Sequence, residues 1–278
     1  MARKTAVALV ALVLAMIAAA GALRVPQVRR VLMLARLYPV YQVATTEKAV
    51  ALTFDISWGT KTPAPVVEIL RDKKVRSTFF LSGPWVMNHS DLARLIKDAG
   101  HEIASHGHKH INYSQLSEEG IAEQLRLADQ SIREVLGVEP NLIRTPNGDY
   151  DDRVVKVIRE GGYEVIQWSV DSLDWMNPGV DRIISRVLSL AHPGAIILMH
   201  ASDSCQQTTA ALPAVIDGLR AKGFRLLTVS ELLKLAVTPG KLGTPLEPGT
   251  YAAPSEPAPL APAPSARPTP PAPPARRR

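Results

Sequence analysis

A chain of 278 residues is long enough to bury a full core as one large domain or two small ones. Its net charge of +6 invites a nucleic-acid reading, but residues 1–46 hold only basic charges, and residues 47–238 hold 21 basic against 24 acidic side chains. The centre of the chain is mildly acidic, so nucleic acid, which needs a basic folded face, is not an expected partner.

In chain order, Arg3-Lys4 precede AVALVALVLAMIAAAGAL, 18 uncharged residues from Ala6 to Leu23. That length is short for a membrane span and long for a signal-peptide core. Residues 1–23 are therefore expected to be an uncleaved membrane anchor with the domain outside the cytoplasm, or a signal segment releasing a secreted protein. Residues 24–46 follow as a juxtamembrane stem whose end could pair as an edge strand. The single cysteine, Cys205, excludes an intrachain disulfide, so the core must supply the stability.

From residue 47 to 238, short β-rich runs alternate with helical periodicity. Strands are predicted at 49–54, 77–81, 102–105, 141–143, 164–168, 195–199 and 225–229. Helices are predicted at 63–72, 85–99, 115–136, 151–161, 180–191, 207–222 and 230–236. The alternation implies βα units and a mainly parallel sheet. About seven strands in some 190 residues fit a distorted, incomplete (β/α) barrel, with a doubly wound open sheet as the alternative. Beyond residue 238, ten of the last 25 residues are proline, and 239–278 reads as an extended Pro/Ala-rich tail.

The reactive side chains cluster after predicted strands. Asp55 follows the first, His106 and His110 the third, Arg144 the fourth, Asp171 and Asp174 the fifth, and His200 the sixth. In a (β/α) fold the strand C-termini converge on one face, so these residues should share one mouth. His106 and His110 in SHGHKH have the i, i+4 spacing of paired metal ligands, although Gly107 suits a tight loop equally well. Imidazole with carboxylate suits a divalent ion, zinc by default, with cobalt or manganese as alternatives. His200 at the end of an apolar strand suits a general acid, and Asp174 could orient it. Arg144 can fix a carboxylate through its fork, and the turn Pro146-Asn147-Gly148 offers backbone N–H groups to an oxyanion. Trp175 could wall a pocket and stack on a sugar. His89, His101 and His192 read as structural or exposed, and His108 has no assigned role.

Five ordered blocks, TFDISWG, SHGHKH, RTPNG, DSLDW and ILMHAS, resemble the polysaccharide deacetylases, the NodB-homology domains of carbohydrate esterase family 4. The first, fourth and fifth look most like the PdaB-type branch associated with spore formation. The resemblance covers residues 47–235 and implies a distorted (β/α) barrel that removes acetyl groups from N-acetylated sugars of peptidoglycan or a related polymer. It implies Asp55 as general base, His106 and His110 as ligands of a divalent metal, and His200 as the acid for the leaving amine. Arg144 would hold Asp55, Asp174 would orient His200, and the N–H of Asn147 would meet the oxyanion.

One departure matters. The family usually has a second aspartate after the first, completing a His-His-Asp metal triad, and here Ile56 stands in its place. Asp55 itself, at the expense of its role as base, Asp203 or a water is then the candidate for a third ligand. Asn147 also replaces the family's usual aromatic residue. Three readings follow: a metal-dependent deacetylase with an altered ligand set, a glycan-binding pseudoenzyme, or a structural envelope protein.

Overall fold

A computed structural model describes residues 38–236. The expected anchor, most of the stem and the tail lie outside the described residues. Among the described residues no helix is long and apolar enough to cross a membrane.

The elements run β1 (Ala49–Ile56), α1 (Pro63–Asp72), β2 (Thr78–Leu81), α2 (Gly83–Asn88), α3 (Ser90–Asp98), β3 (Glu102–Ser105), α4 (Glu118–Leu136) and β4 (Leu142–Ile143). They continue as α5 (Asp152–Glu160), β5 (Glu164–Val165), β6 (Val170–Asp171), α6 (Val180–Leu190), β7 (Ile196–His200), α7 (Thr208–Ala221), β8 (Arg225–Leu227) and α8 (Val229–Leu233). Seven strands form one parallel path, β5-β4-β3-β2-β1-β7-β6, and β8 pairs with the first residues of β1. This is the distorted, incomplete barrel expected, with one strand more than predicted. The stretch read as a strand over 164–168 pairs with β4 only at Glu164–Val165, and Val170–Asp171 then pairs with β7. β6 follows β5 after only four residues, so the sequence does not set it apart as a strand of its own.

Two other differences are local. The helix expected over 85–99 breaks at His89, whose backbone (φ −133°, ψ 50°) leaves the helical region between α2 and α3. The helix expected from 115 begins at Glu118, where the Ser117 hydroxyl accepts from the Gly120 N–H and fixes the start.

β1 organises the molecule through its two-residue period. Val50, Leu52, Phe54 and Ile56 enter the larger apolar cluster, which includes Val66 and Leu70 of α1 and Val215 and Ile216 of α7. Ala49 and Ala51 face the barrel interior with Phe80, Ala104, Leu142 and Ile196. Thr53 and Asp55 share that inner face by alternation. The fully buried Ile56 is thus a core residue on the helix-facing side, turned away from the carboxylate beside it.

The gap between β5 and β7 is stitched by residues that the sequence assigned to the stem. The Val40 N–H donates to the Val165 carbonyl (2.8 Å), the Gln167 N–H to the Val40 carbonyl (2.8 Å), and the Val43 N–H to the Gly194 carbonyl (2.9 Å). Val40 and Val43 are buried in the inner cluster. The folded body therefore takes in residues before Glu47.

Gly194 shows how tight this seam is. Its φ is +79°, and a Cβ there would lie 1.8 Å from the Val43 carbonyl oxygen. Gly162 has a similar φ of +88° with nothing within 4 Å of such a Cβ. Gly194→Ala should therefore cost at least about 3 kcal/mol in urea denaturation, against about 1–2 kcal/mol for Gly162→Ala. Equal costs would show that the seam yields.

Candidate active site

The ends of β1, β3, β4, β6 and β7 deliver Asp55, His106, Arg144, Asp171 and His200 to one end of the barrel. A cavity of about 480 Å³ there is lined by Asp55, His106, His110, Asn147, Trp175 and His200 among others. Of the site residues expected from the sequence, Asp55, His106, His110, Asn147, Trp175 and His200 line it, Arg144 and Asp174 directly hold Asp55 and His200, and Asp203 does not line it.

Asp55 is anchored by Arg144, which is wholly buried. One guanidinium nitrogen, Nη1, donates both to Asp55 Oδ1 (2.6 Å) and to the Thr53 hydroxyl (2.9 Å), and Nη2 donates to the Gln167 carbonyl (3.1 Å). The arginine therefore grips Asp55 through one nitrogen rather than through its fork. The Phe80 ring lies 4.1 Å from its Cζ and adds a cation–π contact. Burial alone would raise the Asp55 pKa, but the charges of Arg144 and the neighbouring histidines outweigh it and hold the carboxyl below its usual range. Asp55 is a fixed carboxylate.

His106 donates its Nδ1 proton to the Arg144 carbonyl (2.8 Å), which leaves the Nε2 lone pair 3.8 Å from Asp55 Oδ2. A ring fixed through its other nitrogen is the usual state of a metal-ligating histidine. Burial drives its pKa down to about 4, so it is neutral at pH 7. His110 lies with its ring centroid 5.4 Å from that of His106, and burial lowers its pKa too. Their connection is a tight loop rather than a helical turn, with Gly107 at φ +70° and the Tyr113 hydroxyl where a Cβ would fall.

His200 stands across the mouth. Its Nδ1 donates to Asp174 Oδ1 (2.7 Å), its backbone N–H to Asp174 Oδ2 (2.8 Å), and the Thr208 hydroxyl to the same Oδ2 (2.7 Å). Burial pushes the imidazole pKa down, but the hydrogen bond to Asp174 and the charges of Asp174, Asp55 and Asp171 leave it raised. His200 is thus biased toward the imidazolium, a proton donor facing a carboxylate.

Among the described residues, the one group of three potential metal ligands whose donor atoms all lie within 4.8 Å of one another is Asp174, His200 and Cys205. It makes a poor ion site. Both Asp174 oxygens already accept hydrogen bonds, and burial pushes the Cys205 thiol up to about 12. Asp203, the candidate third ligand beside the histidine pair, is also committed. Its Oδ2 accepts from the Thr60 N–H and its Oδ1 from those of Lys61 and Thr62.

Sequence reading missed the supports. Thr53 was findable, since it lies two residues before Asp55 on the same strand face. Thr208, Trp168 and the exposed Trp58 carry no such local signal. Asp171 lines the cavity with Oδ1 accepting from the Leu173 N–H, and burial raises its pKa. Asn147 adopts φ 60°, and its amide donates to Asn112 Oδ1 (2.7 Å). His101 is structural as expected, its Nδ1 accepting from the Ser77 N–H.

Comparison with known proteins agrees with this geometry. Residues 42–166 match the polysaccharide deacetylase family model. A peptidoglycan-N-acetylglucosamine deacetylase of Bacillus cereus is 36% identical over 200 residues, covering 71% of this chain and 93% of that protein. The chain belongs to the polysaccharide deacetylase family. It is also 35% identical to the Bacillus subtilis protein YlxY over 195 residues, 70% of this chain and 60% of YlxY, so it spans under two thirds of that relative. The crystal structure of a CE4 family pseudoenzyme from Bacillus anthracis matches with a TM-score of 0.67 at 35% identity, covering 70% of this chain and 69% of that one. A mutant of that pseudoenzyme with restored enzymatic activity matches equally well, at 36% identity over 70% and 71% of the two chains.

Two outcomes follow for the charged pairs. Arg144→Met should cost about 3–5 kcal/mol at pH 7, because it strands a buried carboxylate. Asp55 then titrates above its unfolded value, so the deficit should shrink as pH falls toward 5, and a pH-independent deficit would mean that Asp55 is not the cause. For His200, whose folded pKa is raised, the stabilisation is complete below about pH 6.5 and lost as pH climbs through the folded value. Asp174→Asn should lower the His200 pKa in an NMR titration, and an unmoved resonance would remove Asp174 as the orienting group.

Proposed function

We propose that the chain is an N-deacetylase acting on N-acetylated amino sugars of peptidoglycan or a related envelope polysaccharide. The observation that carries this is the pairing, across one cavity, of a carboxylate held ionised by Arg144 with an imidazole held toward its protonated form by Asp174. A site that only binds sugar has no need of two proton-transfer groups tuned in opposite directions.

The chemistry is hydrolysis of an acetamide. Asp55 accepts a proton from the attacking water as its oxygen adds to the carbonyl carbon. The carbonyl oxygen takes up negative charge near the Asn147 turn, where a backbone N–H can stabilise it. Collapse breaks the C–N bond, and His200 gives its Nε2 proton to the departing amine. The products are acetate and a free amino sugar.

His106 and His110 are the residues that would hold a divalent ion, zinc, cobalt or manganese, and the fixed Nε2 of His106 beside Asp55 fits that role. When bound, such an ion polarises the amide and acidifies water, which a base weakened by Arg144 needs. With Ile56 in the core and Asp203 tied to backbone, the described residues offer beside the histidine pair only Asp55, whose Oδ1 is already held by Arg144, so an ion there would be loosely held. We place the protein outside the cytoplasm, supported by the apolar run from Ala6 to Leu23, and the PdaB-like motifs support a role in sporulation.

A second reading, a glycan-binding pseudoenzyme, is favoured by one observation, the burial of Ile56 on the face opposite the site. Acetate release from N-acetylglucosamine oligomers separates the two. The full chain with added zinc or cobalt should release acetate, and Asp55→Asn or His200→Ala should lose on the order of 10²–10⁴-fold. After dialysis no ion should remain, and added zinc should raise the melting temperature of the parent but not of His106→Ala/His110→Ala. Ile56→Asp should melt lower than the parent in chelator, since it puts a carboxylate in an apolar layer, and a larger zinc gain than the parent's would mean that the end of β1 turns this side chain round to the histidine pair. Acetate from Ile56→Asp and none from the parent at any metal concentration would establish the pseudoenzyme reading.

A further inference from the structure

Trp58, three residues beyond the base, is one of the few large apolar side chains left open to solvent. Trp58 is 47% exposed, and Trp175, which lines the same cavity, is 50% exposed. Ile111 and Met176, their neighbours around the mouth in sequence terms, are exposed as well. Four of the eight exposed large hydrophobic residues among those described thus belong to the loops that carry the site, and an apolar rim of this kind marks a binding surface.

The Trp58 indole is held in place. Trp58 Nε1 donates to the Ser204 hydroxyl (3.1 Å), and the Trp58 ring meets the edge of His110 at 5.1 Å between centroids. The loop that carries Trp58 is clipped by Asp203, whose carboxylate takes three consecutive N–H groups at 2.9–3.0 Å. Trp85 Nε1 donates to the Gly59 carbonyl (2.8 Å) behind it. Gly59 itself, at φ +90°, packs so closely on Asp203 that a Cβ would lie 2.4 Å from its Cγ.

The loop that carries Trp175 is tied to the same bracket. Asn177 Nδ2 donates to the Ser204 carbonyl (2.8 Å), the Gln206 N–H to Asn177 Oδ1 (2.8 Å), and the Gly179 N–H to Gln207 Oε1 (2.7 Å). Residues 203–207, shortly after the strand end bearing His200, therefore brace the Trp58 ring and the loop that carries Trp175. Polar atoms of one loop are spent on fixing a solvent-facing indole and the backbone beside a second one, which a merely solvated loop has no reason to do.

We propose that Trp58 is a sugar-stacking platform paired with Trp175, and that Asp203 is the positioning residue that pre-forms it. The ligand this fits is an oligosaccharide of several N-acetylated pyranose units, whose C–H faces lie on indole while hydroxyls and acetamido groups reach the polar floor. A single sugar fills the mouth; the platforms act on the units that flank it. This deepens the deacetylase reading and rests on it, and it holds equally for a catalytically silent glycan binder. Pre-fixed rings lose little freedom on binding, so their contribution is retained as affinity.

The test is calorimetric binding of the N-acetylglucosamine tetramer and monomer to the full chain, with EDTA present to stop turnover. Trp58→Ala should weaken the tetramer about tenfold and the monomer less than threefold, and Trp58→Phe should restore most of the difference. Asp203→Ala should weaken the tetramer in the same way, and adding it to Trp58→Ala should cause no further loss, which general destabilisation would not mimic. Circular dichroism confirms that each variant is folded. Tetramer binding unchanged in Trp58→Ala overturns the platform and leaves the deacetylase reading standing. No binding of either sugar by the parent overturns the platform, and if the same chain without EDTA also releases no acetate with zinc or cobalt added, both readings fall.

Discussion

A β-strand sends alternate side chains to opposite faces, and β1 turns that constraint into the division of labour of the whole molecule. Its odd-numbered residues, Ala49 to Asp55, line the barrel and end in a carboxylate. Its even-numbered residues, Val50 to Ile56, fill the layer under the helices. β1 is also the central strand, paired to β2, β7 and β8. Arg144 can reach Asp55 because β1 and β4 present their inner faces to the same interior. His200 is set level with Asp55 by direct register between β1 and β7.

The same alternation explains what could be read in advance. Long strands with a clear period, such as β1 and β7, gave away both their position and the residue at their end. Reactive side chains at strand ends, Asp55, Arg144 and His200, were legible because a parallel (β/α) fold has one active face. β6 was not legible, because its two residues follow β5 too closely to read as a separate strand. The supports were hidden for a different reason. Thr208 reaches Asp174 from the start of a helix, and Asp203 reaches three backbone N–H groups more than 140 positions away. Such bonds depend on which loops meet, which only the assembled barrel decides.

The site divides into halves of unequal completeness. The half we propose for proton transfer is fully furnished, with Arg144 holding Asp55 and Asp174 holding His200. The half we propose for a metal has two histidines and, among the described residues, no carboxylate of its own, because Asp55 beside them is bound to arginine. These halves fail differently. Losing an ion ligand lowers occupancy and can be offset by mass action, whereas losing a buried ion-pair partner costs the fold. A chain can therefore drift in its metal half while its acid–base half stays locked in place by folding stability.

The strip of chain at Val40–Val43 carries a separate consequence. An incomplete barrel ends in strands with unpaired backbone groups, and such edges are templates for joining another chain edge to edge. By laying backbone along the gap between β5 and β7, this strip satisfies the Val165 carbonyl and the Gln167 N–H from within the same molecule. This edge of the barrel is covered by residues that precede its first strand, so the closing of the edge and the furnishing of the site are encoded in different parts of the chain.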